Sequence, residues 1–178
     1  MSEPTDEELM LRYQGGDRAA FRVIFERYSR RLFGLMRQRI YNPADAQELV
    51  QQTFMQFHRA RADFRPGAKV KPWLMTIALN LRRDHCRRLG NRTPMVSLDE
   101  APEKGAEHRD AERKDEAAQV RRAVAQLPEK MRSVVELHWF AEMSYAEISQ
   151  VLGISQSAAK VRAHRAYESL RTTLGKEL

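Results

Sequence analysis

The densest set of side chains able to read a nucleic acid lies near the C-terminus. At helical spacing, Gln156, Ser157, Lys160, Arg162, His164 and Arg165 fall on an outward face, while Ala159, Ala163, Ala166 and Leu170 fall inward. Arg and Lys donate to guanine edges or to phosphates, and Gln pairs with adenine. Most hydrogen bonds in such an interface go to the backbone, so only some of these six side chains would read bases. Small inward residues allow a second helix to cross closely.

The residues just upstream supply that second helix. Ser144 and Glu147 have capping-box spacing ahead of an apolar run, Gly153 sits where a tight turn needs a positive φ, Ile154 plugs the turn, and Ser155 caps the helix that follows. Two helices so joined make a helix-turn-helix whose second member can enter a major groove. The alternative is a purely structural hairpin with a solvated basic face, and the turn chemistry favours the first reading.

Other chemistry is poorly supported. No glycine-rich phosphate loop, Ser-His-Asp order or paired-carboxylate pattern stands out, so an enzyme is not expected. The single cysteine, Cys86, excludes an internal disulfide and a cysteine-rich zinc module. His85 and Cys86 are adjacent and point about 100° apart on a helix, a poor metal pair. With no further cysteine to complete a zinc site, His58 and His138 read as surface or core residues. No metal or cofactor is expected, and a redox role for Cys86 is left open.

The formal net charge is +7, and it is unevenly spread: +7 over residues 1–90, −3 over 91–118 and +3 over 119–178. Two basic blocks joined by an acidic connector suggest two modules that face a polyanion and a linker that avoids it. No apolar run approaches the ~18 residues of a membrane span, and the acidic Met1–Asp6 lacks the apolar stretch of a signal peptide. Cytoplasmic residence without direct membrane contact is the expectation.

The elements that must carry these residues read as helices throughout. Thr5 with Glu8 caps a first helix that stops at Gly15-Gly16. Asp17 caps a second, with an inward stripe of Phe21, Ile24, Phe25, Tyr28, Leu32, Leu35, Met36 and Ile40. Asn42-Pro43 starts a third, burying Ala46, Leu49, Val50, Phe54 and Phe57. Pro72 starts a fourth, with Trp73, Leu74, Ile77, Ala78 and Leu81 inward, ending at Gly90. Periodicity fades from Asn91 to about Ala117 and resumes at Val120, Val124 and Leu127, then Met131, Val134, Val135 and Leu137. The fold class is therefore all-α. An N-terminal four-helix bundle (1–90) and a C-terminal four-helix domain with the helix-turn-helix (118–178) are joined by an acidic flexible linker (91–117).

Several segments together resemble one family. They are Phe21-Arg-Val-Ile-Phe-Glu-Arg-Tyr28, Asn42-Pro-Ala-Asp-Ala-Gln-Glu-Leu-Val-Gln-Gln-Thr-Phe54, Phe64-Arg-Pro-Gly67, and Pro72-Trp-Leu-Met-Thr-Ile-Ala-Leu-Asn-Leu-Arg-Arg-Asp-His85. Leu127-Pro-Glu-Lys-Met-Arg-Ser-Val-Val-Glu-Leu137 and the helix-turn-helix complete the set. In order and spacing they resemble the extracytoplasmic-function (ECF) sigma factors of bacterial RNA polymerase, over nearly the whole chain outside the linker.

The resemblance implies roles for individual residues. Asp45, Glu48, Gln51 and Gln52 would dock on the polymerase β′ clamp, where Gln47, Gln51 and Gln52 replace acids more usual in the family. The loop from about Ala62 to Lys71, with Phe64, Lys69 and Lys71, would capture a flipped base of the minus-ten element. Asn80 would approach bases, with Arg82, Arg83, Arg87 and Arg88 toward phosphates. The helix carrying Gln156, Ser157, Lys160, Arg162, His164 and Arg165 would read the minus-thirty-five element, although Ala158-Ala159 replaces a more usual Thr-Val. The linker would thread the RNA channel. Implied partners are core RNA polymerase (β′ clamp and β flap), promoter DNA and an anti-sigma factor. Trp73 and Phe64 have the alternative role of core aromatics, and Trp139 and Phe140 would anchor the helix-turn-helix.

Two other functions fit parts of the chain. A sigma mimic would sequester an anti-sigma protein without engaging promoters, but Asn80, Lys160 and Arg162 favour a working factor. A dimeric helix-turn-helix regulator would leave the N-terminal bundle unexplained and predicts palindromic sites.

Overall fold

Local caps set where the helices begin. The Thr5 side chain accepts from the Glu8 amide while the Glu8 carboxylate accepts from the Thr5 amide, starting α1 (Asp6–Gln14). Asp17 accepts from the amides of Ala19 and Ala20 to start α2 (Arg18–Arg37), and Asn42 accepts from Ala44 ahead of Pro43 to start α3 (Pro43–Arg59). A 3-10 turn, Arg61–Asp63, leads to α4 (Val70–Arg88).

The computed structural model describes residues 3–89 and 118–175, so the linker expected at 91–117 and the stop expected at Gly90 lie outside the described residues. The C-terminal part contains α5 (residues 118–126), α6 (Glu129–Trp139), α7 (Tyr145–Leu152) and α8 (Gln156–Leu174). Among the described residues every regular element is helical.

One boundary differs from expectation. α4 begins at Val70, with Pro72 inside its first turn, where a missing N–H costs nothing because that group has no intrahelical partner. Lys69 supplies no side-chain cap. Glu7 of α1 does so from a distance, accepting from the Val70 amide at 3.2 Å.

The core of the N-terminal part is aromatic at its centre. Phe57 is fully buried, and its ring lies among those of Tyr13, Phe21, Phe54 and Trp73. Tyr28 is buried on α2 and its hydroxyl donates to Asp6, whose other oxygen takes Arg27 at 2.7 Å, tying α1 to α2. Phe25, expected in the buried stripe, is instead 38% exposed beside Phe54.

Two separate cores were expected, and the packing is more continuous than that. Val134, Leu137, Met143 and Ile148 join the buried cluster of the N-terminal helices, and α7 packs on α4. α4 is covered on more than its predicted stripe: Met75 and Leu79 are buried as well. A second, smaller cluster of Val124, Leu127, Val135 and Ala166 belongs to the C-terminal helices alone.

Candidate nucleic-acid interface

The helix-turn-helix forms as its residues dictate. The Ser144 hydroxyl accepts from the Glu147 amide at 3.3 Å and the Glu147 carboxylate accepts from the Ser144 amide at 2.7 Å, which satisfies two otherwise orphan N–H groups of α7. Gly153 ends α7 at φ 63°, in the left-handed region, and Ser155 accepts from the Ala158 amide at 3.1 Å to start α8. Ala159, Ala163 and Ala166 are buried where α8 crosses α6 and α7. Their size lets the backbones approach.

Gln156, Ser157, Lys160, His164 and Arg165 are exposed, and Arg162 is half-buried. His164 lies 3.5 Å from Glu168. Val161 is also exposed, and its spacing from Ser157 and Arg165 puts this apolar group on the same face of α8, where polarity gives no signal for it. Such a methyl-bearing side chain can contact a thymine methyl.

The second basic surface follows α4. Asn80, Arg83, Arg87 and Arg88 are exposed, with Arg83 donating to Asn80 Oδ1 at 3.2 Å and Arg87 paired with Asp84 at 3.1 Å. Lys69 is exposed 3.6 Å from Glu7. The loop ahead of α4 is held by α1: Gln14 Nε2 donates to the carbonyls of Arg61 (2.7 Å) and Phe64 (3.1 Å). Sequence reasoning did not mark Gln14 or Glu7, because a polar residue on a short amphipathic helix looks like solvated surface.

Three expected contact residues are placed otherwise. Phe64 is buried, its ring centroid 5.2 Å from Trp73, so it supports the loop from beneath and is not presented to a base. Lys71 donates to the Glu142 carbonyl at 2.5 Å and lies 3.5 Å from Glu147 of α7. Arg82 is only 5% exposed. It donates to the Leu35 carbonyl at 2.8 Å and to Glu136 Oε2 at 2.7 Å, so it faces protein and not solvent. A buried guanidinium needs such partners, since an unpaired one would carry an uncompensated charge.

Glu136, itself 1% exposed, also accepts from Arg39 Nε at 3.1 Å. Arg39 then forks onto both oxygens of Glu129, at 2.7 and 2.8 Å. Burial works against the charge on Arg39, but Glu129 and Glu136 outweigh it and hold its pKa above the ordinary value. Burial would raise the Glu129 carboxyl, yet the Arg39 fork, with Ser133 and Arg132, pulls it down to about 2. For Arg82 burial prevails over the attraction of Glu136 and lowers the pKa. The signal for this cluster was present in Val134-Val135-Glu136-Leu137, a carboxylate inside an apolar run.

On α3, Glu48 and Gln51 are exposed while Asp45 and Gln52 are half-buried, and Gln52 donates to Glu48 at 2.8 Å. Beside them Phe21, Phe25, Gln47, Gln51, Phe54 and Met55 line an open apolar groove of about 800 Å³. No cluster of three or more potential metal ligands occurs among the described residues.

Residues 24–92 match the Sigma-70 region 2 family, and residues 117–170 match Sigma-70, region 4. The RNA polymerase sigma factor CarQ of Myxococcus xanthus is 35% identical, over 93% of this chain and 95% of the relative. The ECF RNA polymerase sigma factor SigM of Mycobacterium tuberculosis is 31% identical, over 97% of this chain and 86% of the relative. The chain belongs to the extracytoplasmic-function sigma factors. The fold of this ECF sigma factor also agrees with a solved structure of CnrH in complex with the cytosolic domain of CnrY, at a TM-score of 0.77 and 25% identity, covering 97% of this chain and 99% of that one. Sigma factors bind core RNA polymerase and promoter DNA to initiate transcription and catalyse no reaction of their own. No helix among the described residues is long and apolar enough to cross a membrane.

Proposed function

We propose that this sigma factor works in the cytoplasm as a two-point promoter reader, residues 1–90 docking polymerase and reading the minus-ten element and residues 118–178 reading the minus-thirty-five element. Residues 91–117 connect the two modules through the polymerase RNA channel. The observation that carries the reading is the pairing of a capped helix-turn-helix, with Lys160 and Arg165 exposed on α8, and a separate exposed row of Asn80, Arg83, Arg87 and Arg88 on α4.

Docking on the β′ clamp is assigned to α3, through Asp45, Glu48, Gln51 and Gln52. The amides recruited there sit beside the Phe25–Phe54–Met55 groove, so apolar contact makes up for the acids this chain lacks. The C-terminal unit engages the β flap. Minus-ten capture is assigned to the loop braced by Gln14 and Glu7, with Lys69, Lys71 and Arg82 joining Asn80 once they are free of protein partners. CnrH is seen with the cytosolic domain of CnrY, and an anti-sigma factor is proposed as the third partner here.

Each DNA module is small, and tethering both to one polymerase raises their effective concentration far above what either reaches alone. In a gel shift, the free protein binds promoter duplex weakly and non-specifically, while its complex with core polymerase binds specifically. Tight, specific binding by the free protein would overturn the reading.

A further inference from the structure

The loop between α3 and α4 is held at both ends by one helix, and the bonds go to the loop's backbone. That helix, α1, precedes residues 24–92, the segment that matches Sigma-70 region 2. We propose that α1 is a positioning element for minus-ten base capture, in which the Gln14 amide and the Glu7 carboxylate set the shape of the loop before DNA arrives. The proposal rests on the assignment of this loop to the minus-ten element.

The entrance of the loop is tied by the last turn of α1. Gln14 Nε2 donates to the Arg61 carbonyl at 2.7 Å and to the Phe64 carbonyl at 3.1 Å, so one amide serves two acceptors with its two N–H groups. Beside it the Tyr13 hydroxyl is hydrogen-bonded to His58 Nδ1, and Arg61 donates back to the His58 carbonyl at 2.8 Å. The exit is tied by Glu7, which accepts from the Val70 amide at 3.2 Å and lies 3.6 Å from Lys69 Nζ. Phe64 and Val70 are buried, while Arg65, Pro66, Gly67 and Lys69 between them are exposed. That tip is itself a turn: Ala68 donates to the Arg65 carbonyl at 3.1 Å, Pro66 has its φ preset, and Gly67 takes φ 84°.

Bonds to the backbone govern the shape of the loop whatever base-contacting side chains it carries. Leu9, Met10 and Tyr13 already bury α1 against the bundle, so packing fixes the helix without Gln14 or Glu7, and their bonds act on the loop. A slack loop has to be ordered as it closes on an extruded base, and each residue so fixed opposes binding. A loop tied at both feet, with a turn at its tip, meets the base with most of that ordering done. Releasing one foot should therefore weaken capture about tenfold, the scale of one or two neutral hydrogen bonds.

Permanganate footprinting of open complexes tests the positioning role, with the full chain on saturating core polymerase and a promoter selected by run-off transcription from a randomised pool. An abasic scan of the non-template minus-ten strand first finds the position whose base the wild type needs. Gln14→Met keeps the length of the side chain and loses both donors. It should open the intact promoter about tenfold less than wild type while opening the abasic one equally, so its sensitivity to the missing base shrinks about tenfold. A merely structural role lowers opening on both templates in the same ratio. Glu7→Ala should behave like Gln14→Met, and Glu7→Gln, which keeps an acceptor for the Val70 amide, should restore the wild-type pattern. Should Gln14→Met lose wild-type helical circular dichroism, the two Glu7 variants decide. Full abasic sensitivity in the folded variants, with Lys69→Ala blunting it, overturns the positioning role alone. No sensitive position in the wild type, or one that Lys69→Ala leaves unchanged, overturns the minus-ten assignment of the loop and the proposal with it.

Discussion

The turn of the helix-turn-helix offers a substitution whose cost can be worked out in advance. Gly153 sits at φ 63°, and a Cβ built there meets nothing within 4 Å, so replacement changes backbone conformation without creating a clash. Placing alanine in the left-handed region costs ~1–2 kcal/mol, while the loss of unfolded-state freedom returns ~0.4–1 kcal/mol. Gly153→Ala should therefore destabilise by about 1 kcal/mol. Gly153→Asn should cost less, since asparagine tolerates this region, and Gly153→Val more, because its branched Cβ does not. With a urea slope of ~2 kcal/mol per molar, the alanine variant loses ~0.5 M from its midpoint at unchanged slope. Fluorescence separates the units: Trp73 lies between Phe57 and Phe64, whereas Trp139 is 65% exposed and donates to Tyr167 at 3.1 Å. The shift should appear in the Trp139 signal, measured in a Trp73→Phe background. An alanine variant as stable as wild type, or asparagine costlier than valine, would refute the conformational account.

Further consequences follow from the packing and charge. Phe57→Ala removes the fully buried ring beneath Trp73, costing ~3–5 kcal/mol, seen as early urea unfolding of the Trp73 signal; a loss under 1 kcal/mol would contradict its central place. Lys160→Ala and Arg165→Ala should each lower transcription from promoters with an intact minus-thirty-five element about tenfold, near the ~1–3 kcal/mol of one good contact, and unchanged transcription would remove them from the interface. Glu129 has a folded pKa of about 2 against an ordinary 4.5, so its stabilising effect is full above about pH 4.5 and is lost as pH falls toward 2. The urea midpoint should therefore drop more steeply between pH 5 and 3 in wild type than in Glu129→Gln, and parallel profiles would contradict the Arg39 fork.

Much of this architecture is written in short-range chemistry. Thr5–Glu8 and Ser144–Glu147 cap their helices as their spacing dictates, Asn42-Pro43 starts α3, and the small face of α8 is buried. What escaped sequence reasoning depends on residues far apart along the chain. Arg82 reads as one more cation in the arginine-rich end of α4, and its burial follows only from Glu136, 54 residues later. Phe64 reads as a core ring more readily than as a base stacker, and the nearby Trp73 ring settles it for the core, a contact short in sequence that spacing alone does not reveal. Phe25 fits the α2 stripe by periodicity but lies at the edge where α3 leaves the groove open.

The most direct test of promoter-directed initiation is run-off transcription from a randomised-promoter library by core polymerase, with and without this chain. With the chain present, transcripts should arise from templates enriched for two spaced elements, and the Asn80→Ala/Lys160→Ala variant should lose that enrichment. A transcript population identical to that of core polymerase alone would contradict the account.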